Sequence, residues 1–445
     1  MRIAWFTHRY YPCIGGSETF GRAIVRRFVA AGHEVDVFTS DALELWYFNN
    51  PTRKRVEGPL VSTIDGATVR RFPVRHFPLQ RYVGRLLSYL PHWPTRCRWA
   101  SYMPVLPGIE NVKGDYDAVF GVGFPYTIFS FAALKTARAS GAPLILNPFL
   151  HLSTPDDPYR KFYTRPHQVR LLRESDTVVV QTRIEADAVA EWGIPDSKIL
   201  TLGMAVDHAE VTGGDPHLLR KRQGIPEGSQ VVGHLATLDP NKGSNDLVRA
   251  IARLNQTRDV NNPVHLLMGG TSSPDFERFI AEWPGGIPRW LHLLGPLSLE
   301  ERADFYAALD LYSMPSRTDS FGIVFLEAWA NGLPVVAAAA GGVTEVVQDG
   351  KTGLLVPFGD IDRLTASLAD LLDNSLKARA MGETGRALVF QGYTWDERFN
   401  TLLDRAVGLR RRGPNHPGWR VDREAQGRGA TLISSPAAKP SKPRH

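Results

Sequence analysis

Short apolar runs alternate with amphipathic stretches along most of the 445-residue chain. The runs are typical of buried strands, and the stretches between them show the three-to-four-residue apolar spacing of helices. The runs in the first half are RIAWFT, EVDVFTS, YDAVFGVG, PLILNPFLH and DTVVVQT. Those in the second half are QVVGHLA, VHLLMGG, LHLLG, LDLYSMPS, LPVVAAA and TGLLVP. This alternation predicts an α/β protein with two parallel sheets, each covered by helices.

A Gly- and Pro-rich stretch, LGMAVDHAEVTGGDP, lies between the two sets of runs and predicts a hinge between two doubly wound domains. We therefore predict a Rossmann-like N-terminal domain over residues 1–206, a Rossmann-like C-terminal domain over residues 207–395 and a final helix over residues 396–412. Residues 413–445 are rich in Pro, Arg and Ser and contain few large apolar side chains, which predicts disorder.

The composition narrows the class of protein. A hydrophobic content of 43% and a charged content of 22% are typical of soluble globular proteins. No apolar run reaches the ~18 residues that a membrane-spanning helix needs. Cys13 and Cys97 are the two cysteines, which form neither a disulfide framework nor a metal set. These features predict a cytoplasmic enzyme or binding protein.

The net charge of +6 is concentrated in two segments. Residues 70–99 contain seven Arg and no acidic residue, and residues 410–445 contain nine Lys or Arg and two acidic residues, so each segment carries +7. The remaining chain is therefore at −8. Nucleic acid is not an expected partner, because its binding usually needs a basic face on the folded domain.

The basic segment 70–99 also contains an amphipathic helical pattern. Its apolar positions are Tyr82, Val83, Leu86, Leu87 and Leu90. One interpretation is a helix packed on its own domain. The other is a surface that lies on anionic lipid, which would place the protein peripherally on the inner face of the cell membrane.

Three glycine-containing turns, at Gly15–Gly16, Gly322 and Gly341–Gly342, each follow a predicted strand and precede a predicted helix. The carboxyl ends of parallel strands line the ligand cleft of doubly wound sheets, and small residues at a helix start let backbone N–H groups approach a phosphate. Each turn alone is also explained as a tight turn, whereas the three together suggest a diphosphate site. Lys242, in a similar turn, either neutralises such a phosphate or is a solvated loop lysine.

Glu327 interrupts the apolar run from Ile323 to Trp329. A buried carboxylate without a partner costs several kcal/mol. Glu327 must therefore face solvent, accept a hydrogen bond from a protein donor, or accept one from a ligand hydroxyl group.

The combination of GGSETF, PNKGSNDLVRAI, SRTDSFGIVFLEAWANGLPVVA and GGVTEVVQDGKTGLLVP resembles the family-four retaining glycosyltransferases, which have the GT-B fold. The resemblance covers roughly residues 1–410 and is strongest over residues 290–360. It implies a nucleotide-sugar donor bound mainly by the C-terminal domain and an acceptor bound mainly by the N-terminal domain. It also implies that neither a cofactor nor a metal is required.

The resemblance also implies roles for individual residues on the nucleotide side. Glu327 matches the carboxylate that holds the ribose hydroxyls, with a core Glu bonded to a local backbone N–H as the alternative. Lys242 matches the lysine that pairs with the donor phosphates. Gly15 and Gly16 match the N-terminal glycine turn that faces the diphosphate.

Further roles concern the donor sugar. Phe321, Gly322 and Ile323 match the helix start whose backbone lies near the sugar and phosphate. Asp319 matches the first carboxylate of the motif, which contacts a sugar hydroxyl. His151 resembles a histidine at the sugar site and could equally be a satisfied core histidine.

Two positions depart from the family pattern. The first carboxylate is usually Glu and here is Asp319, which also precedes Ser320 and could instead cap the following helix. The family often has an Arg five residues before the lysine, and here that residue is Thr237. His234 or Arg317 could supply the missing positive charge.

These observations predict a glycosyltransferase that moves a hexose from a UDP- or GDP-sugar, with retention of anomeric configuration, to a glycan, lipid-linked or small-molecule acceptor. Lys242, Asp319 and His151 are the predicted catalytic residues. The alternatives are a GT-B sugar-nucleotide epimerase and a catalytically weak nucleotide-sugar-binding protein. A Rossmann dehydrogenase is not expected, because no G-x-G-x-x-G follows the first run.

Overall fold

A computed structural model describes residues 1–99, 104–152 and 158–411. The predicted tail over residues 413–445, together with residue 412 of the predicted final helix, lies outside the described residues. Two separate sheets, each covered by helices, confirm the predicted pair of Rossmann-like domains. The boundary predicted at residues 206 and 207 falls between the sheets.

The N-terminal sheet has the order β3–β4–β2–β1–β5–β6–β7–β8, in which β3 and β4 are antiparallel and the other neighbours are parallel. Its strands are β1 Arg2–Thr7, β2 Glu34–Ser40, β3 Val61–Ile64, β4 Ala67–Phe72, β5 Ala118–Val122, β6 Leu144–Asn147, β7 Thr177–Val180 and β8 Ile199–Thr201. The accompanying helices are α1 Gly16–Ala30, α2 Gln80–Ser88, α3 Trp93–Trp99, α4 Thr127–Ser140, α5 Pro166–Glu174 and α6 Arg183–Glu191. The five predicted strands correspond to β1, β2, β5, β6 and β7.

The C-terminal sheet has the order β11–β10–β9–β12–β13–β14 and is parallel throughout. Its strands are β9 Val231–Leu235, β10 His265–Gly269, β11 Leu291–Gly295, β12 Leu311–Met314, β13 Val335–Ala338 and β14 Gly353–Val356. Its helices are α7 His208–Val211, α8 Pro216–Arg222, α9 Ser244–Asn255, α10 Pro274–Ala281, α11 Leu299–Ala307, α12 Ile323–Ala330, α13 Val343–Val346, α14 Ile361–Asp373 and α15 Ser375–Gly392. All six strands predicted for this half of the chain are present.

The final helix, α16 Trp395–Arg411, returns from the C-terminal domain to the N-terminal domain. Phe399 packs edge-on against Phe28 of α1, with ring centroids 5.1 Å apart, and Trp395 packs against Phe20. Where the chain first leaves the N-terminal domain, the N–H of Val206 donates to the carbonyl of Tyr393 at 3.1 Å. The two crossings between the domains are therefore adjacent, so the hinge lies beside one end of the cleft.

Candidate active site

Three loops of the C-terminal domain meet where the neighbouring strands β9, β12 and β13 end. The loops touch through their backbones at two glycines. Gly243 lies so close to the carbonyl of Pro315, and Gly342 so close to the carbonyl of Ser320, that a Cβ atom at either position would overlap that carbonyl. The N–H of Gly342 also donates to the carbonyl of Asp319 at 2.9 Å. Glycine is therefore required at these positions for the loops to touch.

Lys242 and Asp319 form an ion pair between two of these loops. The Lys242 Nζ lies 2.6 Å from Asp319 Oδ2, and about a quarter or less of each side chain is exposed. Burial alone would raise the pKa of Asp319, but the Lys242 ammonium, the His151 ring and the Phe321 N–H together hold that pKa below its ordinary value. The solvated-lysine alternative for Lys242 is wrong.

His151 comes from the opposite domain, four residues after β6, and its ring is hydrogen-bonded to the backbone of Thr318. The ring stacks on Tyr163 with centroids 5.1 Å apart. Burial, followed by the nearby Lys242 ammonium, lowers the pKa of His151 to about 4, so the imidazole is neutral at neutral pH. The structure thus brings together the three residues predicted to be catalytic.

The glycine turn of the N-terminal domain faces the start of α12. A Cβ on Gly16 would lie 4.0 Å from Ile323 Cγ2, which is ordinary van der Waals contact. Helix α1 begins at Gly16 with Gly15 as its N-cap, and no side chain caps it. The turn therefore lies next to the start of α12, and its role in facing the diphosphate stays a prediction.

A buried carboxylate occupies this turn. Glu18, in the first turn of α1, accepts from Arg9 at 2.6 Å and from Ser17 Oγ at 2.9 Å, and its Oε1 is 3.4 Å from His8 Nε2. A Cβ on Gly15 would lie only 2.5 Å from Glu18 Oε2. Burial alone would raise the pKa of Glu18, but Arg9 and His8 together lower it well below its usual range. An incoming phosphate at this helix start would thus meet a neutralised Arg–Glu pair.

The start of α12 has the backbone geometry expected of a ligand-facing turn. Gly322 is the N-cap, with φ of +86°, and a Cβ there would crowd the Phe325 ring. The ring of Phe321 packs on Tyr393 instead of on the cleft, with centroids 6.1 Å apart. Asp319 accepts from the Phe321 N–H at 3.3 Å and is not the cap of α12, so the capping alternative is wrong.

Glu327 has protein partners, which corrects the expectation that it is held for ligand hydroxyls alone. Its Oε1 accepts from Arg302 Nη1 at 2.8 Å and its Oε2 accepts from Tyr306 Oη at 2.6 Å, and its side chain is buried. The alternative of a local backbone donor is also wrong. Contact with ribose stays a prediction, and it would require ribose to share these two oxygens.

Arg302 and Tyr306 were missed because they lie in a different helix, more than 20 residues before Glu327. They are four residues apart in α11, and side chains at that spacing share one helix face. This spacing was the one signal in the sequence, and it does not indicate which carboxylate the pair binds.

Three hydroxyl groups in the loop before α12 are buried, on the alternate residues Ser316, Thr318 and Ser320. Those of Ser316 and Thr318 have no protein hydrogen-bond partner, whereas Ser320 is hydrogen-bonded to the Glu185 carboxyl of the other domain. An unsatisfied buried donor costs about 1–3 kcal/mol, and such groups concentrate where a ligand or a second conformation satisfies them. They flank Asp319 on both sides.

The substitutes considered for the missing arginine differ in their surroundings. His234 is fully buried between the Ser313 carbonyl and Ser244 Oγ, both at 2.9 Å. Burial lowers its pKa to about 4, so it does not supply a positive charge at neutral pH. Arg317 is adjacent to the lysine turn, since its N–H donates to the Asn241 carbonyl at 2.8 Å.

Comparisons with known proteins agree with this geometry. Residues 217–388 match the family model described as Glycosyl transferases group 1, and residues 15–205 match the one described as Glycosyl transferase 4-like domain. A D-inositol 3-phosphate glycosyltransferase of Stackebrandtia nassauensis is 32% identical over 415 residues, which cover 87% of this chain and 86% of that protein. The chain belongs to the group 1 glycosyltransferases.

The chain is also similar to another named relative and, in fold, to two solved structures. A Mycolicibacterium smegmatis protein named as a GDP-mannose-dependent alpha-(1-6)-phosphatidylinositol monomannoside mannosyltransferase is 31% identical over 251 residues, or 54% of this chain and 64% of that protein. Sucrose-phosphate synthase from Thermosynechococcus elongatus has a TM-score of 0.71 at 19% identity, covering 92% of this chain and 98% of that one. Anabaena HepE in complex with UDP-glucose has a TM-score of 0.66 at 19% identity, covering 92% of this chain and 100% of that one.

This group 1 glycosyltransferase therefore has the GT-B fold, as predicted, and it is a transferase enzyme. Its relatives carry the names of transferases, which favours that class over the epimerase and binding-protein alternatives. The Lys242–Asp319 pair and His151 meet where its two domains touch, and Gly16 approaches Ile323 across the same boundary.

Proposed function

We propose that this glycosyltransferase transfers a hexose from a UDP- or GDP-sugar with retention of anomeric configuration. The observation that carries the proposal is the Lys242–Asp319 pair, which lies where β9 and β12 end, with His151 of the other domain beside it. The names of the relatives favour this donor class, because one is GDP-mannose-dependent and a protein of similar fold was solved with UDP-glucose. Retention is the mechanism of the family that the sequence resembles.

Lys242 would stabilise the departing nucleoside diphosphate. Negative charge grows on that group as the sugar–phosphate bond breaks, and a positive charge already held in place lowers the barrier. Asp319 already accepts from the ammonium of Lys242 at 2.6 Å, so a phosphate would share that positive charge with Asp319. A lysine that pairs with the diphosphate would neutralise charge without a metal. Metal independence stays a prediction.

Asp319 and His151 would orient the sugar. Asp319 is an ionised acceptor, which makes short charge-assisted hydrogen bonds to hydroxyl groups. His151 is a neutral imidazole, which donates from one ring nitrogen and accepts at the other. The two residues come from opposite domains, so the sugar would be held only when the domains are together.

The N-terminal domain, the expected acceptor side, has an exposed apolar surface on helix α2. Helix α2 follows β4 and exposes Tyr82, Leu86 and Tyr89, each with about 70% of its surface accessible. A cavity of about 490 Å³ opens next to it and is lined by side chains that include His76 and Phe77. Helix α2 packs on α3 of its own domain, as one interpretation predicted, but this packing leaves most of its predicted apolar positions exposed.

Charge accompanies this apolar surface. Arg85 is exposed in α2, and Arg96 donates to the carbonyls of Leu90 and Tyr89, which leaves its positive charge in place. Across the described part of the chain, no helix is long and apolar enough to cross a bilayer. We therefore propose that α2 and the segment around it contact anionic lipid peripherally and that the acceptor is lipid-linked or lies near the membrane.

A ligand screen followed by a turnover assay tests the donor proposal. Thermal unfolding with UDP, GDP and their sugars ranks the donors, because a ligand at 100 times its dissociation constant adds about 2.7 kcal/mol to the free energy of unfolding. The best donor is then incubated with inositol phosphates, lipid-linked acceptors and EDTA. We expect release of nucleoside diphosphate. We also expect NMR to show that the anomeric bond of the transferred sugar has the same configuration, axial or equatorial, in the product as in the donor. Inverted product or conversion of the donor without an acceptor would contradict the proposal.

A further inference from the structure

Glu345, in helix α13 of the C-terminal domain, caps helix α6 of the N-terminal domain. Its Oε2 accepts from the N–H of Arg183 at 2.8 Å, and its Oε1 accepts from the N–H of Ile184 at 2.6 Å. These are the first two residues of α6, whose N–H groups have no acceptor within the helix. A carboxylate at a helix N-terminus is also stabilised by the helix dipole.

The segment that carries Glu345 is the donor-side glycine turn. A Cβ on Gly341 would lie 2.8 Å from the carbonyls of both Asp319 and Leu152, and one on Gly342 would lie 3.0 Å from Thr182 Cγ2. Leu152 directly follows His151. The segment that carries Glu345 therefore contacts both the segment of the N-terminal domain that carries His151 and the loop that carries Asp319.

Polar groups, rather than apolar ones, are buried around this contact. The Glu185 carboxyl is hydrogen-bonded to Ser320 of the other domain and accepts from the Gln181 N–H at 2.9 Å, whereas Gln181 Oε1 has no protein hydrogen-bond partner. Such groups are costly in a permanent core and are satisfied by water when an interface opens. An ion pair also joins the two domains: Arg53 makes two 2.9 Å hydrogen bonds to Glu277, and both side chains are partly exposed.

We propose that Glu345 is a positioning residue that closes the cleft by capping α6, and so holds His151 beside the Lys242–Asp319 pair without contacting substrate. The expected effect on kcat rests on the proposed function, because closure of the cleft would complete an active site that is divided between the two domains. Its structural part concerns only the position of one domain relative to the other.

The Arg183→Pro substitution tests the contact by removing one backbone donor. Residue 183 is the first residue of α6, where proline suits the helix, and Thr182 before it is already extended, with φ of −140° and ψ of 166°. Proline lacks the N–H that Glu345 Oε2 accepts. Arg183→Ala keeps that N–H and is the matched control for loss of the exposed side chain.

We expect Arg183→Pro and Glu345→Gln each to lower kcat by about 10- to 100-fold, the range for a lost charge-assisted hydrogen bond, with little change in donor KM. Arg183→Ala should retain the wild-type kcat. The double variant should lose less than the product of the two single losses, because both substitutions break one contact. Equal losses in Arg183→Pro and Arg183→Ala, or fully multiplicative losses, would overturn the inference.

Fluorescence energy transfer separates this inference from the proposed function. Dyes on cysteines introduced at the exposed positions Glu57 and Asp275 report the distance between the domains, since the native Cys13 and Cys97 are buried. Transfer efficiency should be lower in Arg183→Pro and Glu345→Gln than in the wild type and Arg183→Ala, with or without UDP or GDP. This comparison holds even if no donor turns over. Equal efficiencies in all four proteins would show that Glu345 does not close the cleft.

Discussion

Lys242 Nζ and Asp319 Oδ2 lie 2.6 Å apart, although the two residues come from different strand-end loops, 77 positions apart in the chain. Each charge therefore neutralises the other before any donor is present. A phosphate that binds Lys242 must share the ammonium with Asp319. The shorter carboxylate of this chain, where the family usually has Glu, is thus used to hold the lysine in place.

The Asp319→Asn substitution separates charge from hydrogen bonding. Asn keeps an acceptor for the Phe321 N–H but leaves Lys242 without its counter-charge, so we expect a loss of about 1–2 kcal/mol in the free energy of unfolding. Transfer should fall as well, because the sugar loses a charged acceptor. Urea unfolding and initial rates check both effects. If Asn matched Asp in stability and in rate, we would abandon the sugar-contact role.

The ribose role of Glu327 can be tested with matched ligands. We expect the wild type to bind UDP or GDP more tightly than the 2′,3′-dideoxy analogue, and we expect Glu327→Gln to lose that preference. The variant should also lose about 3 kcal/mol in the free energy of unfolding, because Arg302 becomes unpaired. Tyr306→Phe, which removes one donor and keeps the carboxylate, is the control and should retain the preference. Calorimetric titration of the folded variants measures it. An unchanged preference in Glu327→Gln would remove Glu327 from the donor site.

Acid should destabilise the protein through its buried histidines. Burial lowers the pKa of His234 to about 4, so the fold favours the neutral ring. The stability from this ring is complete above the unfolded pKa of about 6.5 and is lost as the pH falls from there toward 4. His234→Gln should be less stable than the wild type at pH 7.5. Below pH 6.5, however, its free energy of unfolding should fall less steeply than that of the wild type, by up to about 1.4 kcal/mol per pH unit. Urea unfolding at pH 7.5, 6 and 5 gives the slopes, and equal slopes would refute the prediction.

Membrane contact through α2 predicts salt-sensitive binding to anionic vesicles. Protein lacking residues 413–445, whose basic tail could bind lipid by itself, should still co-sediment at low salt. Tyr82→Ser with Leu86→Ser should release it, because each exposed apolar side chain contributes on the order of 1 kcal/mol. Arg81→Glu with Arg85→Glu should do the same, since basic residues near such a surface contribute about 1 kcal/mol each.

The control for this experiment is an apolar side chain that is exposed elsewhere. Leu376 in α15 is 82% exposed, and Leu376→Ser should leave vesicle binding unchanged. If the truncated wild type does not co-sediment with the vesicles at low salt, the acceptor is soluble and the apolar face of α2 has another partner.

The sequence predicted the strands that carry a continuous apolar run and missed β3, β4 and β8. Strand β3, at the sheet edge, includes Ser62 and Thr63, and the neighbouring β4 includes Arg70 and Arg71, so neither has such a run. The two-residue turn Asp65–Gly66 between them, with positive φ at both residues, was a usable hairpin signal. Strand β8, only three residues long, gave no comparable pattern.

The site was predictable where one segment carries its own signal, as with Lys242, Asp319 and the glycine turns. Its pairings were not, because they join distant segments. Glu327 meets Arg302 through the packing of two helices, and Glu345 meets Arg183 across 162 positions of the chain. Each partner is an ordinary charged or helical residue in its own segment, so only the folded arrangement shows the contact.

Binding of nucleoside diphosphate to Lys242→Gln tests the proposed donor site most directly. Calorimetric titration of UDP and GDP, in EDTA, compares this variant with the wild type and with Lys351→Gln, which removes an exposed lysine elsewhere in the C-terminal domain. We expect one of the two nucleotides to bind the wild type and Lys351→Gln with the same affinity. The same nucleotide should bind folded Lys242→Gln at least about tenfold more weakly, because a charge-assisted contact is worth about 1.5–3 kcal/mol. The same dissociation constant in all three proteins would contradict the assignment of Lys242 to the diphosphate.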